Sequence, residues 1–398
     1  MGIAGRTFLG LAAVLTGFGS LSGCVIRDGC DPNPDTPVSQ HEYTHQERAS
    51  EAFSITRLRN DDLLLVGIVS DGYNFLGDVL LVRTDDQGNQ RWTASIESAS
   101  GLSRGHRVAE VGENFLILGN VGATRDGAQT DYLLMETSAR GSLQWEKRFG
   151  GTGKDVAADM VVLPDGYMVL GTTDSTGSGG TDMQLHRLDS AGDVQWSATY
   201  GGSGNEIAAD LALTDDGGFI LLGDSESMGH NVTDFYLVKT DEDGVVQWEE
   251  TFGYSRSNIA ASLSIIPTGG YLLTGSSDDV NYIVAVDAQG GLMWEKLIAP
   301  EPYYRNFYPS GGAMDSEGNV LLTGAAYDSF CSYAFVTKVD GTGELLWSRV
   351  YSPKSVASGY GIIANDDGTS LVVGRSVDFS DVGLGVAALL VEVSADGN

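Results

Sequence analysis

Basic residues are scarce: 23 Lys and Arg stand against 54 Asp and Glu, a formal charge of −31 over 398 residues. That balance excludes recognition of nucleic acid or anionic head groups through a basic face, since both need an excess of Lys and Arg. Three cysteines are too few for a disulfide scaffold. Nine prolines beside 54 glycines exclude a Pro-rich linker protein and point to tight turns between regular elements. Five histidines leave little material for a metal or catalytic cluster. Apolar residues, at 42%, are plentiful enough for a large core and exclude global disorder.

The N-terminus reads as an address. Arg6 precedes an apolar stretch, Thr7 to Phe18, which is too short and Gly-rich for a membrane span of roughly 20 residues. Leu21-Ser22-Gly23-Cys24 follows and resembles the lipobox of bacterial lipoproteins. The resemblance implies a signal peptide over 1–23, a diacylated Cys24, and anchorage to a membrane rather than passage through it. The alternative is an ordinary secretory signal cut near Gly23 with Cys24 unmodified. Val25, where an Asp favours inner-membrane retention in that family, favours the outer membrane. Residues 24–40 read as a flexible tether. In an oxidising compartment Cys30 and Cys331 either bridge or remain two thiols.

Internal repetition decides the fold. The tryptophans Trp92, Trp145, Trp196, Trp248, Trp294 and Trp347 recur at gaps of 53, 51, 52, 46 and 53, each after a Gly-bearing turn. A second marker, an apolar run closed by glycine, appears seven times: Gly67, Gly119, Gly171, Gly223, Gly275, Gly324 and Gly374. Each unit of about 51 residues holds four strand signals and no 3.6-residue apolar period. Four antiparallel strands repeated seven times predict an all-β, seven-bladed propeller over 41–398, in which each blade buries its faces on its neighbours. The seventh unit ends at Asn398, before its outermost strand. By the repeat spacing, the segment near Gln40 to Glu47 should supply it. The tryptophan is missing there, so that blade is expected to pack less tightly.

The run FGGTGKDVAAD…PDGYMVLGTTDSTGSGGTDMQLHRLDSAGDVQWSATYGG resembles the repeat of bacterial β-propeller lipoproteins of uncharacterised function. Its Asp-x-x-Gly-x-x-x-Trp element also resembles blades of quinoprotein propellers and of the outer-membrane-assembly propeller lipoprotein. Those usually have eight blades, and quinone enzymes carry an adjacent cysteine pair that this chain lacks.

Motifs of catalytic appearance fit that frame poorly. His41-Glu42-Tyr43-Thr44-His45 spells HExxH, which grips zinc when a helix puts both histidines on one face. On a strand the rings stand roughly 13 Å apart at 3.3 Å per residue. Gly101-Leu102-Ser103-Arg104-Gly105 spells G-x-S-x-G, but it is expected in an inter-blade loop rather than on a strand-to-helix elbow. Asp85, Asp189, Asp241, Asp287 and Asp340 open the Asp-x-x-Gly turns, where their carboxylates cap the turn; calcium is the functional alternative. A second acidic row, Asp78, Asp131, Asp182 and Asp234, fits strand-end capping. No cofactor or metal is expected beyond that calcium alternative.

Between units five and six a Gly-rich turn is replaced by APEPYYRNFYPSGG, with Tyr303, Tyr304, Phe307 and Tyr308. Phe330 and Phe379 lie in loops at the same end of the propeller. These aromatics either form a recognition surface for a protein or glycan or bury one another over the channel. The resulting expectation is a lipid-anchored, monomeric, non-enzymatic binding propeller of the bacterial envelope. An envelope assembly scaffold, or a hydrolase or oxidoreductase using the channel mouth, is the alternative.

Overall fold

A computed structural model describes residues 35, 37–71, 76–122, 129–229, 232–254, 257–299, 306–327, 331–351, 356–378 and 385–397. Seven four-stranded antiparallel sheets make a seven-bladed propeller, and among the described residues there is no helix. In six blades the strand order follows the chain, and the first strands of neighbouring blades pack around the axis. These inner strands are Ala49–Arg57, Leu102–Val111, Asp155–Leu163, Glu206–Leu213, Asn258–Ile265, Asn306–Met314 and Val356–Ala364. The second and third strands are buried almost throughout, as the unbroken apolar runs require.

Ring closure follows the predicted route. Ser39–Tyr43 pairs antiparallel with Gly385–Val393 as the outer strand of blade seven, with Gln40 opposite Val391 and Tyr43 opposite Ala388. The strand is shorter than the expected Gln40–Glu47. Gln46 and Glu47 take positive φ (53° and 59°) in the turn into blade one. Asp35 begins the crossing one blade earlier: its N–H donates to Val350 O at 2.9 Å, and its Oδ2 accepts from Val350 N at 3.1 Å.

Each tryptophan meets the Gly-bearing turn of the next blade. A Cβ placed on turn Gly141 would lie 3.2 Å from the Trp92 ring; Gly192, Gly244, Gly290, Gly343 and Gly397 stand likewise under Trp145, Trp196, Trp248, Trp294 and Trp347. Each tryptophan therefore caps the next blade's turn, and the glycine is flat enough to receive it. Four residues on, Tyr200 and Tyr351 donate their hydroxyls to Gly244 O and Gly397 O, both at 2.7 Å. In blade seven Ser39 holds the tryptophan's register, and His41 covers Gly88 in its place. Tyr43 keeps the hydroxyl bond, to Gly88 O at 2.6 Å.

The recurring marker glycines have a second cause. Every inner strand carries one extra residue at the same register, a β-bulge. The strand ahead of the bulge swings its carbonyl over the neighbouring marker glycine. A Cβ there would sit 1.8 Å from Glu51 O at Gly67, 2.0 Å from Arg104 O at Gly119 and 1.8 Å from Ser358 O at Gly374.

Candidate functional site

The bulged residues line the upper channel, near the end that carries the inter-blade loops. They are Ala158, Ala209 and Ala261 in blades three to five, and Ser310 in blade six. In blades seven, one and two they are Tyr360, Phe53 and His106. The residue two positions before each bulge repeats the division. Val156, Ile207 and Ile259 are aliphatic, whereas Tyr308, Ser358, Glu51 and Arg104 are polar or aromatic. One side of the channel is thus a small aliphatic wall, and the other is an aromatic and charged arc.

Phe53 is the centre of that arc. Its ring lies 5.4 Å from Tyr360 and 6.1 Å from His106, and the Arg104 guanidinium stands over it at 5.3 Å. Arg104 Nε donates to His106 Nε2 at 3.0 Å. Burial pushes the Arg104 pKa down to about 10, against the pull of nearby Glu51 and Tyr360. Lys154 lies close enough for its own pKa to be lowered, by burial first and the Arg104 charge second. Arg375 Nη1 reaches Glu51 Oε1 at 3.5 Å. Glu51 Oε2 is buried and makes no hydrogen bond, and the Tyr360 hydroxyl lies beside Ser358 without a well-aligned bond to it. Polar atoms so placed cost about 1–3 kcal/mol each unless water or a ligand meets them. Tyr308 and Tyr327, 5.5 Å apart edge to face, extend the arc into blade six.

His106 is buried, and its pKa is held well below the ordinary value, by burial first and then by Arg104 and Arg107. The unfolded imidazole takes a proton below about pH 6.5 while the folded one refuses it. His106 therefore contributes stability that is present above about pH 6.5 and is lost as pH falls. Relative to His106→Gln, the wild type should lose roughly 2 kcal/mol between pH 8 and pH 5, read from urea midpoints at each pH.

Lower in the channel, Arg107 Nε bonds Asp159 Oδ1 at 2.9 Å. Asp159 and Asp210 accept the N–H groups of Leu211 and Leu263 from the following blades at 3.2 and 2.7 Å. Burial, then the Asp159 charge, holds Asp210 well above the carboxylate range. The bulges also leave backbone donors, and the residue after the preceding blade's marker glycine meets them. Asn120, Thr172 and Asp224 accept from Ala157, Ala208 and Ala260 at 3.3, 2.9 and 2.6 Å. These groups staple the ring that presents the arc above them.

The expected site residues are placed unevenly. Tyr303, Tyr304, Phe330 and Phe379 lie outside the described residues, as do Cys24, Cys30 and nearly all of the expected leader and tether. Phe307 and Tyr308 belong to the inner strand Asn306–Met314, not to a loop. A strand sends adjacent side chains to opposite faces. Phe307 is accordingly core, 1% exposed and 4.7 Å from Phe335, while Tyr308 joins the arc. Cys331 is buried and disulfide-bonded.

The motif residues go separate ways. Ser103 of G-x-S-x-G lies in the inner strand of blade two, not in a loop, and is fully buried, beyond the reach of a substrate. In HExxH, His41 covers Gly88, His45 Nδ1 bonds Thr93 Oγ1 at 3.0 Å, and Glu42 accepts from Ser376. Asp85, Asp189, Asp241, Asp287 and Asp340 each accept two N–H groups of their own turn. Among the described residues no three His, Cys, Asp or Glu side chains are grouped to hold a metal. An open groove of about 500 Å³ beside blade one is lined by Asp71, Asp78 and Glu97, with Arg48 already paired to Asp71 and Asp78.

No protein-family model and no curated protein matches the sequence. Solved propellers share the fold. Virginiamycin B lyase from Staphylococcus aureus, crystallised as an inactive variant with quinupristin, is 10% identical with a TM-score of 0.58, over 89% of this chain and 99% of that one. YCF48 bound to D1 peptide is 12% identical with a TM-score of 0.53, over 90% and 96%. Puromycin hydrolase is 15% identical with a TM-score of 0.54, over 87% of this chain and 52% of that one. The likeness is one of fold: a lyase, a peptide-bound protein and a hydrolase share it.

Proposed function

We propose that this propeller is a non-enzymatic binding module of the bacterial envelope that takes a protein partner at the loop-end mouth of its channel. The observation that carries the reading is the arc from Tyr308 through Tyr360 and Phe53 to Arg104. Half-buried aromatics at the loop end of the inner strands, backed by the buried Arg104 guanidinium, are the residue types that anchor protein interfaces. The arc spans blades six, seven, one and two, whereas the loop aromatics alone pointed to blades five to seven. A partner with bound peptide in one propeller of similar fold, YCF48, is compatible with this use.

Anchorage by a diacylated Cys24 in the outer membrane belongs to the same reading, and rests on the apolar run and lipobox ahead of that cysteine. We assign Cys30 as the partner of Cys331, because Cys24 is then committed to lipid. Alkylation without reductant should leave the mature protein unmodified; a gain of two alkyl groups contradicts the bridge.

Affinity capture from native membranes tests the binding reading. Tyr308→Ala combined with Phe53→Ala should cut partner recovery at least about 30-fold, the loss expected of two interface anchors, while the cooperative melt persists. Full recovery by the folded double variant removes the proposal.

A further inference from the structure

We infer that the tether holds the loop end of the propeller, and with it the channel mouth, toward the bilayer. The inference rests on the proposed anchorage at Cys24 and names the face that the anchor turns to the lipid. Two contacts fasten the N-terminal segment to blade six before it crosses to blade seven. Asp35 donates its N–H to Val350 O at 2.9 Å and accepts the Val350 N–H on Oδ2 at 3.1 Å, and its Oδ1 stands 3.7 Å from Arg349 Nε. Cys331, which is disulfide-bonded, immediately precedes Ser332–Val339, the third strand of blade six. Ser332 pairs with Tyr327, and Tyr327 with Asn306, the first residue of the inner strand that carries Tyr308. The bridge therefore lies at the loop end, on the mouth side of the blade, in a core cluster with Phe307.

Chain length then sets the orientation. With Cys30 bridged to Cys331, the bridge lies six residues from the acylated Cys24. Fully extended, that stretch reaches at most about 22 Å. The inner strand Leu102–Val111 is ten residues long, so the loop end and the turn end stand roughly 30 Å apart. An anchor released at the loop end cannot bring the turn end down to the lipid. Charge does not choose the face, because exposed carboxylates stand at both ends: Asp71 and Asp278 beside the loops, Asp86 and Asp366 on the turns. A partner taken at the mouth is then met between the propeller and the bilayer.

The test places a fluorescent residue, acridonylalanine, at Tyr254 or at Val245 of the full lipidated chain. Both positions are 62% exposed. Tyr254 follows the outer strand Val246–Phe252 at the loop end, and Val245 lies on the turn before that strand. The protein is reconstituted into phosphatidylcholine vesicles that carry a rhodamine head-group acceptor. Energy transfer from position 254 should exceed that from position 245 at least about two-fold, since roughly 30 Å of strand separates the two ends. Insertion of about twelve Gly and Ser residues between Ile26 and Arg27 leaves the bridge and the fold in place but lengthens the reach past the height of the ring, and it should erase the contrast. Equal transfer from the two positions, more from position 245, or a contrast that survives the insertion overturns the inference. A chain that does not float with the vesicles overturns the anchorage as well, whereas a floating chain without contrast overturns the orientation alone. None of these results touches the binding reading, which stands or falls on partner capture by the Tyr308 and Phe53 variant.

Discussion

A chain that starts at Thr44 should lose on the order of 5 kcal/mol or more of stability and should associate through an open edge. Five residues, Ser39–Tyr43, complete blade seven. Their removal strips the ladder from Gly385–Val393 and takes away Tyr43, which is 3% exposed and bonds the turn of blade one through its hydroxyl. Loss of a large buried aromatic costs about 3–5 kcal/mol, and each ladder bond adds roughly 1. The exposed edge is then a template for a second copy. The expected readings are a melting temperature lower by about 10 °C or more and dimers or larger species in light scattering. A peptide of residues 37–47 added in trans should restore the monomer and part of the lost melting temperature, the rest being the Asp35 contacts and the Cys30 bridge that the truncation also removes. A truncated chain that stays monomeric and melts with the full one contradicts closure by this strand.

The second large effect is at a marker glycine. Gly67→Ala puts a methyl group 1.8 Å from Glu51 O, a backbone atom fixed in the adjacent strand. No rotamer relieves such a contact, and the strands cannot part without breaking the blade. The expected cost exceeds about 4 kcal/mol, or the protein is recovered insoluble. Gly217→Ala is the comparison. Its φ is +83° but nothing lies within 4 Å, so only backbone strain of about 1–2 kcal/mol is expected. Urea midpoints that place the two substitutions within 1 kcal/mol of each other would remove the carbonyl contact as the reason for the repeat.

Much of this fold was legible because packing imposes the same residue at the same place in each blade. Tryptophan recurs where it caps the next turn, and glycine recurs where a carbonyl passes close. The closing strand could be counted out from those markers although Ser39 and His41 replace the tryptophan. The channel mouth was not legible in the same way. Arg375 and Glu51 meet from positions more than 300 residues apart, and charges at the mouth follow no period. The bulge that turns Phe53, His106 and Tyr360 inward comes from one extra residue, not from a residue type.

A signal for the mouth did exist. The bulged residue stands thirteen or fourteen positions before each marker glycine. That column reads Phe, His, Ala, Ala, Ala, Ser and Tyr, so its aromatic stretch departs from the repeat. The aromatics of the unit five–six junction drew attention by composition alone. Phe307 and Tyr308 were then separated by the alternation of the strand they occupy.

The central claim is that the loop-end mouth, not the turn end or the outer rim, is the recognition face. Photo-crosslinking in cells tests it most directly, with benzoyl-phenylalanine replacing Tyr308 at the mouth and, separately, Val245 in an exposed turn at the opposite end. The account predicts a discrete adduct from position 308 and none from position 245. An adduct from position 245 alone, or none from position 308 in a folded protein, would contradict it.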